Sequence, residues 1–183
     1  VEHNLGVWTR KSFALLKSDL KPATFWMSSA NNFWRDNIAA GSEFLGYWFE
    51  LPGNPHGPSF TPTICPINSY IGEFLNNTAH SNSGPGMRVY PGYTPREIPC
   101  SSSPSSPQYI KNFTSVHNGL GVFNKRVSDL HYIDAKMIEN RGDEFHWVLF
   151  PMSYTNNPNI VNMLCVGSTD PNVAVNKRAL WLP

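Results

Sequence analysis

Apolar and β-branched residues fall in short clusters along this chain: Thr24-Phe25-Trp26-Met27, Gly46-Tyr47-Trp48-Phe49, Tyr70-Ile71-Gly72-Glu73-Phe74-Leu75, Val122-Phe123 and Phe145-His146-Trp147-Val148-Leu149-Phe150. Each is too short and too punctuated by glycine for an amphipathic helix, and each suits a strand. The one helical candidate is Ser12 to Leu20, with Phe13, Leu16 and Leu20 at spacings of three and four, closed by Lys21-Pro22; a loop or strand fits it equally.

The clusters belong to a degenerate repeat. Asn37 to Gly41 and Gly46-Tyr47 align with Asn77 to Ser81 and Gly86-Met87 at an offset of 40. A further copy, Asn112 to Val116 with Gly119-Leu120-Gly121-Val122, follows at an offset of 35, which matches Gly84 to Gly119 and Gly86 to Gly121. A fourth, Ala135 to Gly142, lies 22 or 23 residues on, so the bare repeat is near 22 residues. Two insertions at about 52–69 and 91–107, rich in Pro, Gly, Ser and Thr, account for the longer offsets.

Strands of three to five residues recurring every ~22 residues predict an all-β fold. The expected architecture is a right-handed parallel β-helix over residues 1–183, three corners per coil, with both insertions leaving one side of the stack as long loops. Asn and Gly tolerate the left-handed backbone of sharp corners, and stacked Asn side chains can bond along the axis. A Greek-key sandwich would also give short strands and proline-rich turns, but has no reason for a constant offset.

Composition narrows the setting. Only 15% of the residues are charged, and the net charge of +1 offers no basic stripe for a phosphate backbone, so nucleic acid is excluded as a partner. No apolar run approaches the ~20 residues that span a bilayer. Val1 in place of Met, with apolar Val7-Trp8 and Ala179-Leu180-Trp181-Leu182 near the ends, reads as a piece of a longer ectodomain.

Cys65 and Cys100 occupy similar positions in the two insertions and are read as a disulfide between neighbouring loops, against two free thiols in a reducing compartment; Cys165 is left over. Asn76-Asn77-Thr78 and Asn112-Phe113-Thr114 are N-glycosylation acceptors at matching places in two repeats, which adds to an extracellular or cell-surface reading.

Several strings carry a resemblance: Lys21-Pro22-Ala23-Thr24-Phe25-Trp26, Asn37-Ile38-Ala39-Ala40-Gly41-Ser42, Gly57-Pro58-Ser59-Phe60, Gly72 to Ser81 and Gly84-Pro85-Gly86-Met87. Together they resemble the β-helix (PbH1-repeat) region shared by fibrocystin-L and the cell-surface and secreted hyaluronan-degrading proteins. The Asn54-Pro55-His56-Gly57-Pro58-Ser59 loop, Ile64-Cys65 and the second loop cysteine Cys100 are more similar to the fibrocystin-L branch. The resemblance runs from about Leu20 to about Thr169. It implies a type I membrane or secreted glycoprotein with a large ectodomain. It leaves activity open between a surface-coat component and hyaluronan breakdown.

Polysaccharide hydrolysis would need paired acids, or a His and Arg set, projecting from one face. The candidates are Asp36, Glu43, Glu50, Glu73, His80, Arg88, His117, Asp134, Glu139, Asp143, Glu144 and His146. His80 and His117 are singled out because the offset of 35 brings them near one another without stacking them. Asp143-Glu144 with His146 offers metal-type ligands without a convergent set, and reads as a solvated turn. Trp26, Phe33, Trp34, Tyr47, Trp48 and Trp147 could stack on sugars, although a thin coil needs most of them for its core. No phosphate loop, nucleophile elbow or Cys-x-x-Cys pair occurs, so no cofactor is expected.

The expectation is therefore a non-catalytic, glycosylated segment of a surface coat, filament or adhesive protein. Its partners would be the rest of the ectodomain, or copies of itself through the coil ends, and glycans. The rivals are a polysaccharide-cleaving enzyme and a lectin-like module without turnover.

Overall fold

The computed structural model describes residues 1–13, 20–148, 159–168 and 178–180. Most of the helical candidate Ser12 to Leu20, Leu149-Phe150, and Trp181-Leu182 lie outside the described residues.

Every named strand is short. The first coil holds β1 (Leu5–Val7) and β2 (Ala23–Met27), the second β3 (Phe33–Arg35), β4 (Ile38–Ala40) and β5 (Leu45–Phe49), and the third β6 (Glu73–Leu75), β7 (Thr78–His80) and β8 (Pro85–Val89). There follow β9 (Gln108–Lys111), β10 (Thr114–Val116) and β11 (Leu120–Lys125), then β12 (Leu130–Ile133), β13 (Lys136–Ile138) and β14 (Phe145–Val148), then β15 (Ile160–Val161) and β16 (Leu164–Val166).

Every third strand pairs in parallel with the next. Sheet A runs β3-β6-β9-β12-β15, sheet B β1-β4-β7-β10-β13-β16 and sheet C β2-β5-β8-β11-β14. Three parallel sheets wound in this order make a parallel β-helix. Both insertions leave after sheet C and re-enter at sheet A. The same corner can also be crossed by the short link between Lys125 and Leu130.

Register explains the uneven offsets. Tyr47 pairs with Met87, an offset of 40. Between the next two coils Thr78 pairs with Thr114, an offset of 36, while Met87 pairs with Val122, an offset of 35. The expected constant 35 is thus corrected in sheet B. The turn from β10 to β11 is one residue shorter than the turn from β7 to β8, so Val116 rather than His117 lies nearest in phase to His80. Likewise, Thr114 pairs with Lys136 at 22 and Val122 with Phe145 at 23, so both readings of the fourth copy hold, in different sheets.

The corners use two residues in tandem, one outward and one inward. Between sheets A and B, Asp36, Asn76, Asn112 and Asp134 take φ of 54, 55, 50 and 55°, and the next residue turns into the core. Between sheets B and C the outward positions are Gly41, Ser81, His117 and Glu139, followed by buried Ser42, Asn82, Asn118 and Asn140.

The inward asparagines form a ladder. Backbone N–H of Ser42 donates to Oδ1 of Asn82 (2.8 Å), Nδ2 of Asn82 to Oδ1 of Asn118 (2.8 Å), and backbone N–H of Asn118 to Oδ1 of Asn140 (2.9 Å). The Asn140 side-chain amide ends the series on the Glu144 carboxylate. Beside it runs a column of glycines with no room for a side chain. A Cβ on Gly86 would lie 2.4 Å from Ser115 Oγ, and one on Gly121 1.9 Å from the Glu144 carbonyl oxygen.

The rest of the interior is apolar. Tyr47 meets Phe74 edge-on at 5.4 Å and Phe113 at 5.9 Å, with Ile110, Val122, Met137 and Trp147 also fully enclosed. Each such side chain contributes about 1.5–3 kcal/mol by leaving water.

Candidate functional site: a cleft at the root of the insertions

Alternation along the strands of sheet C turns Tyr47 inward and its neighbour Trp48 outward. In register with Trp48 lie Trp26, Arg88, Phe123 and His146, one per coil. The Trp26 and Trp48 rings stack at 5.2 Å with 8° between planes. The Arg88 guanidinium sits 5.5 Å from the Trp48 ring, 4.3 Å from Tyr90 and 5.7 Å from Phe123. These neighbours cover Trp48, which is 4% exposed, but leave Trp26 46% exposed at the end of the row.

The exposed indole borders a cleft of about 450 Å³ lined by Trp26, Ser28, Glu50, Pro52, Gly53, His56 and Pro91. Its walls are the roots of both insertions. Those loops are held to one another by the Cys65–Cys100 disulfide, with Cα atoms 5.2 Å apart. Backbone N–H groups of Thr94 and Arg96 donate to the carbonyls of Ile67 (2.9 Å) and Asn68 (3.0 Å), and the Tyr93 hydroxyl donates to the Ser69 carbonyl (2.7 Å). The first insertion contains two short 3-10 turns, Gly57–Ser59 and Pro66–Asn68, and is tied by its own bonds from Ile67 N–H to the Pro52 carbonyl (3.0 Å) and from Asn54 Nδ2 to the Ile64 carbonyl (2.9 Å) as well as by the cross-loop bonds.

Burial raises the Glu50 carboxyl above its ordinary value, opposed by a hydrogen bond from Trp26 and by the charges of Arg88 and His56. The cleft offers an apolar ring face, the Glu50 carboxyl and the His56 imidazole. That is a set suited to a polyhydroxylated ring.

The histidines singled out from the sequence lie elsewhere. His80 is half-buried on the outer face of sheet B, its Nδ1 3.3 Å from the Ser81 hydroxyl. His117 stands at the corner between sheets B and C, with Nε2 3.3 Å from the Glu139 carboxylate. They occupy adjacent coils, and each has its own neighbour.

Asp143 contacts His146 at 3.1 Å, whereas Glu144 turns inward to cap the asparagine ladder, so the three do not converge. Among the described residues no group of three or more His, Cys, Asp or Glu could hold a metal ion. Of the aromatics, Trp34, Tyr47 and Trp147 serve the core, Trp48 is covered, and Trp26 and Phe33 are exposed. The grouping of Glu50 and His56 with Trp26 was not foreseen. Its only trace in the sequence is that Glu50 and His56 flank the start of an insertion.

Residues 3–87 match the family model described as CEMIP beta-helix, a span that includes Trp26, Glu50 and His56. These coils belong with the CEMIP β-helices. Human fibrocystin-L is 32% identical over 177 residues, covering 93% of the chain, and mouse fibrocystin-L is 36% identical over 115 residues, covering 62%. The mouse cell migration-inducing and hyaluronan-binding protein is 32% identical over 119 residues, covering 52% of the chain. The chain spans 4% of human fibrocystin-L, 3% of the mouse protein and 9% of the mouse hyaluronan-binding protein. The matched residues 3–87 are of CEMIP β-helix type, and the chain is similar both to relatives named for hyaluronan binding and to others that are not. No described helix is long and apolar enough to cross a membrane.

Proposed function

We propose that this stretch of CEMIP-type β-helix is an extracellular, non-catalytic scaffold segment of a surface-coat, filament or adhesive protein, and that its Trp26 cleft holds a sugar residue of a polysaccharide without cleaving it. The observation that carries the reading is the cleft's chemistry. It joins an exposed indole to hydroxyl-binding groups but has a single carboxylate among its lining residues, Glu50. Glycoside hydrolysis in its usual form needs two carboxyl groups, about 5–5.5 or 6.5–9.5 Å apart. The Cys65–Cys100 disulfide supports an oxidising, extracellular setting, since such bonds are rare where thiols are kept reduced. The outer edges of β1 and β2 suit continuation by further coils of the ectodomain or by a second copy, whereas that of β3 is already paired with residues Val1 to His3.

A second reading, cleavage, is favoured by the 35% identity over 72 residues to human cell surface hyaluronidase CEMIP2, and by the contact of His117 with Glu139. Under it, His80 and His117 are the working groups. Incubation with size-defined hyaluronan separates the two. The scaffold reading expects retention of the polysaccharide, loss of retention in Trp26→Ala, and unchanged chain length. Shortening that disappears in His80→Ala would overturn it in favour of the enzyme.

A further inference from the structure

The corner between sheets A and B presents one outward residue per coil, and Asp or Asn fills the position at 36, 76, 112, 134 and 162. The positive φ there accounts for Asp and Asn, which tolerate the left-handed region better than other side chains. It does not account for what lies two residues later. Ile38, Lys136 and Leu164 follow Asp36, Asp134 and Asn162, whereas Thr78 and Thr114 follow Asn76 and Asn112. The two threonines pair in register as the first residues of β7 and β10.

Burial sorts the asparagines of the coil. Asn37, Asn77, Asn82, Asn118 and Asn140 are fully enclosed and bonded, whereas Asn76 and Asn112 are exposed. Nδ2 of Asn76 donates one hydrogen to Asp36 Oδ1. A glycosylated amide keeps one N–H, so that bond survives modification.

We infer that Asn76 and Asn112 both carry N-linked glycans, which form one sugar-covered stripe along the corner between sheets A and B and leave the cleft beside sheet C bare. This rests on the extracellular reading above. In the transfer, Nδ2 bonds to the anomeric carbon of an oligosaccharide carried on a lipid pyrophosphate. The anomeric C–O bond to the pyrophosphate breaks, the lipid pyrophosphate leaves with the electron pair, and the amide gives up one proton. Transfer to the unfolded chain precedes coil formation, so the spacing of about 4.8 Å between neighbouring strands is no obstacle to it.

Unreduced protein from its native source, mapped by mass spectrometry before and after an amidase that releases N-glycans and leaves aspartate, tests this. Conversion at both Asn76 and Asn112 is expected; an unmodified asparagine at either position overturns the inference. Bare asparagines with the Cys65–Cys100 cross-link intact overturn the glycans alone, and bare asparagines with free thiols overturn the extracellular reading as well. Enzymatic removal of the glycans should leave hyaluronan retention unchanged, and a change would overturn the separation of stripe from cleft.

Discussion

Two ladders run along this molecule, one inside and one outside the same coils. The inner one repeats a single chemistry, Asn82 on Asn118 on Asn140, hemmed in by Gly86 and Gly121. The outer one on sheet C changes at nearly every coil, from Trp26 and Trp48 to Arg88, Phe123 and His146. Inside, each rung must satisfy the polar groups of the next away from water, so like stacks on like. Outside, solvent satisfies whatever is not stacked, and the coil leaves the residue free to serve a ligand.

The contrast sets an order of effects. Gly121→Ala should cost most, about 3 kcal/mol or more, because the new methyl meets a backbone carbonyl that cannot move without dragging the next coil. Thermal unfolding should show it, or soluble protein should not be obtained. Asn118→Ala should follow at about 2–3 kcal/mol, since it strips the Asn82 amide and backbone N–H of their acceptor in the dry interior. The expected fall in Tm is about 4–12 °C. A change of under about 1 °C would mean that the ladder is not dry.

On the outer ladder Trp26→Ala should cost only about 1 kcal/mol, the worth of one ring contact, while abolishing polysaccharide retention. Calorimetry beside a binding assay would reveal any larger structural role. Smallest is Glu50→Gln. Burial lifts the folded pKa of Glu50 above its unfolded value, so the stabilisation this carboxyl confers is complete below its ordinary 4.5 and is lost as pH rises through the folded value. The variant should therefore be slightly more stable than wild type at pH 7 and indistinguishable well below pH 4.5. Equal Tm values at both would show Glu50 to be solvated.

Part of the inner stacking was legible in the sequence, because repetition is its mechanism. The Asn82–Asn118–Asn140 series was not, since the offset of 35 set Asn112 against Asn77 where the structure sets it against Asn76. Asn37 and Asn77, and Gly46 and Gly86, recur at one offset because each touches its own copy. The slip from 36 to 35 was not legible, because losing one residue between His117 and Gly119 changes no residue type. Disulfide placement was legible from the equivalent positions of the insertions, which the Cys65–Cys100 bond now joins. The cleft was not, since Trp26, Glu50, His56 and Pro91 come from three coils and no period relates them.

Both insertions depart from and return to one corner, where Lys125 to Leu130 makes the same crossing in a few residues. The distance to be closed is therefore fixed by the coil and indifferent to how much chain is spent closing it. Such a corner works as a socket: the outer parts of the insertions, about 53–64 and 96–106, could be exchanged for foreign sequence with the strand pairing of the three sheets kept, provided the core-facing Pro66, Ile67 and Tyr93 stay in place. A protein of many such coils could then diversify its surface by loop exchange alone, under a backbone whose interior had no need to change.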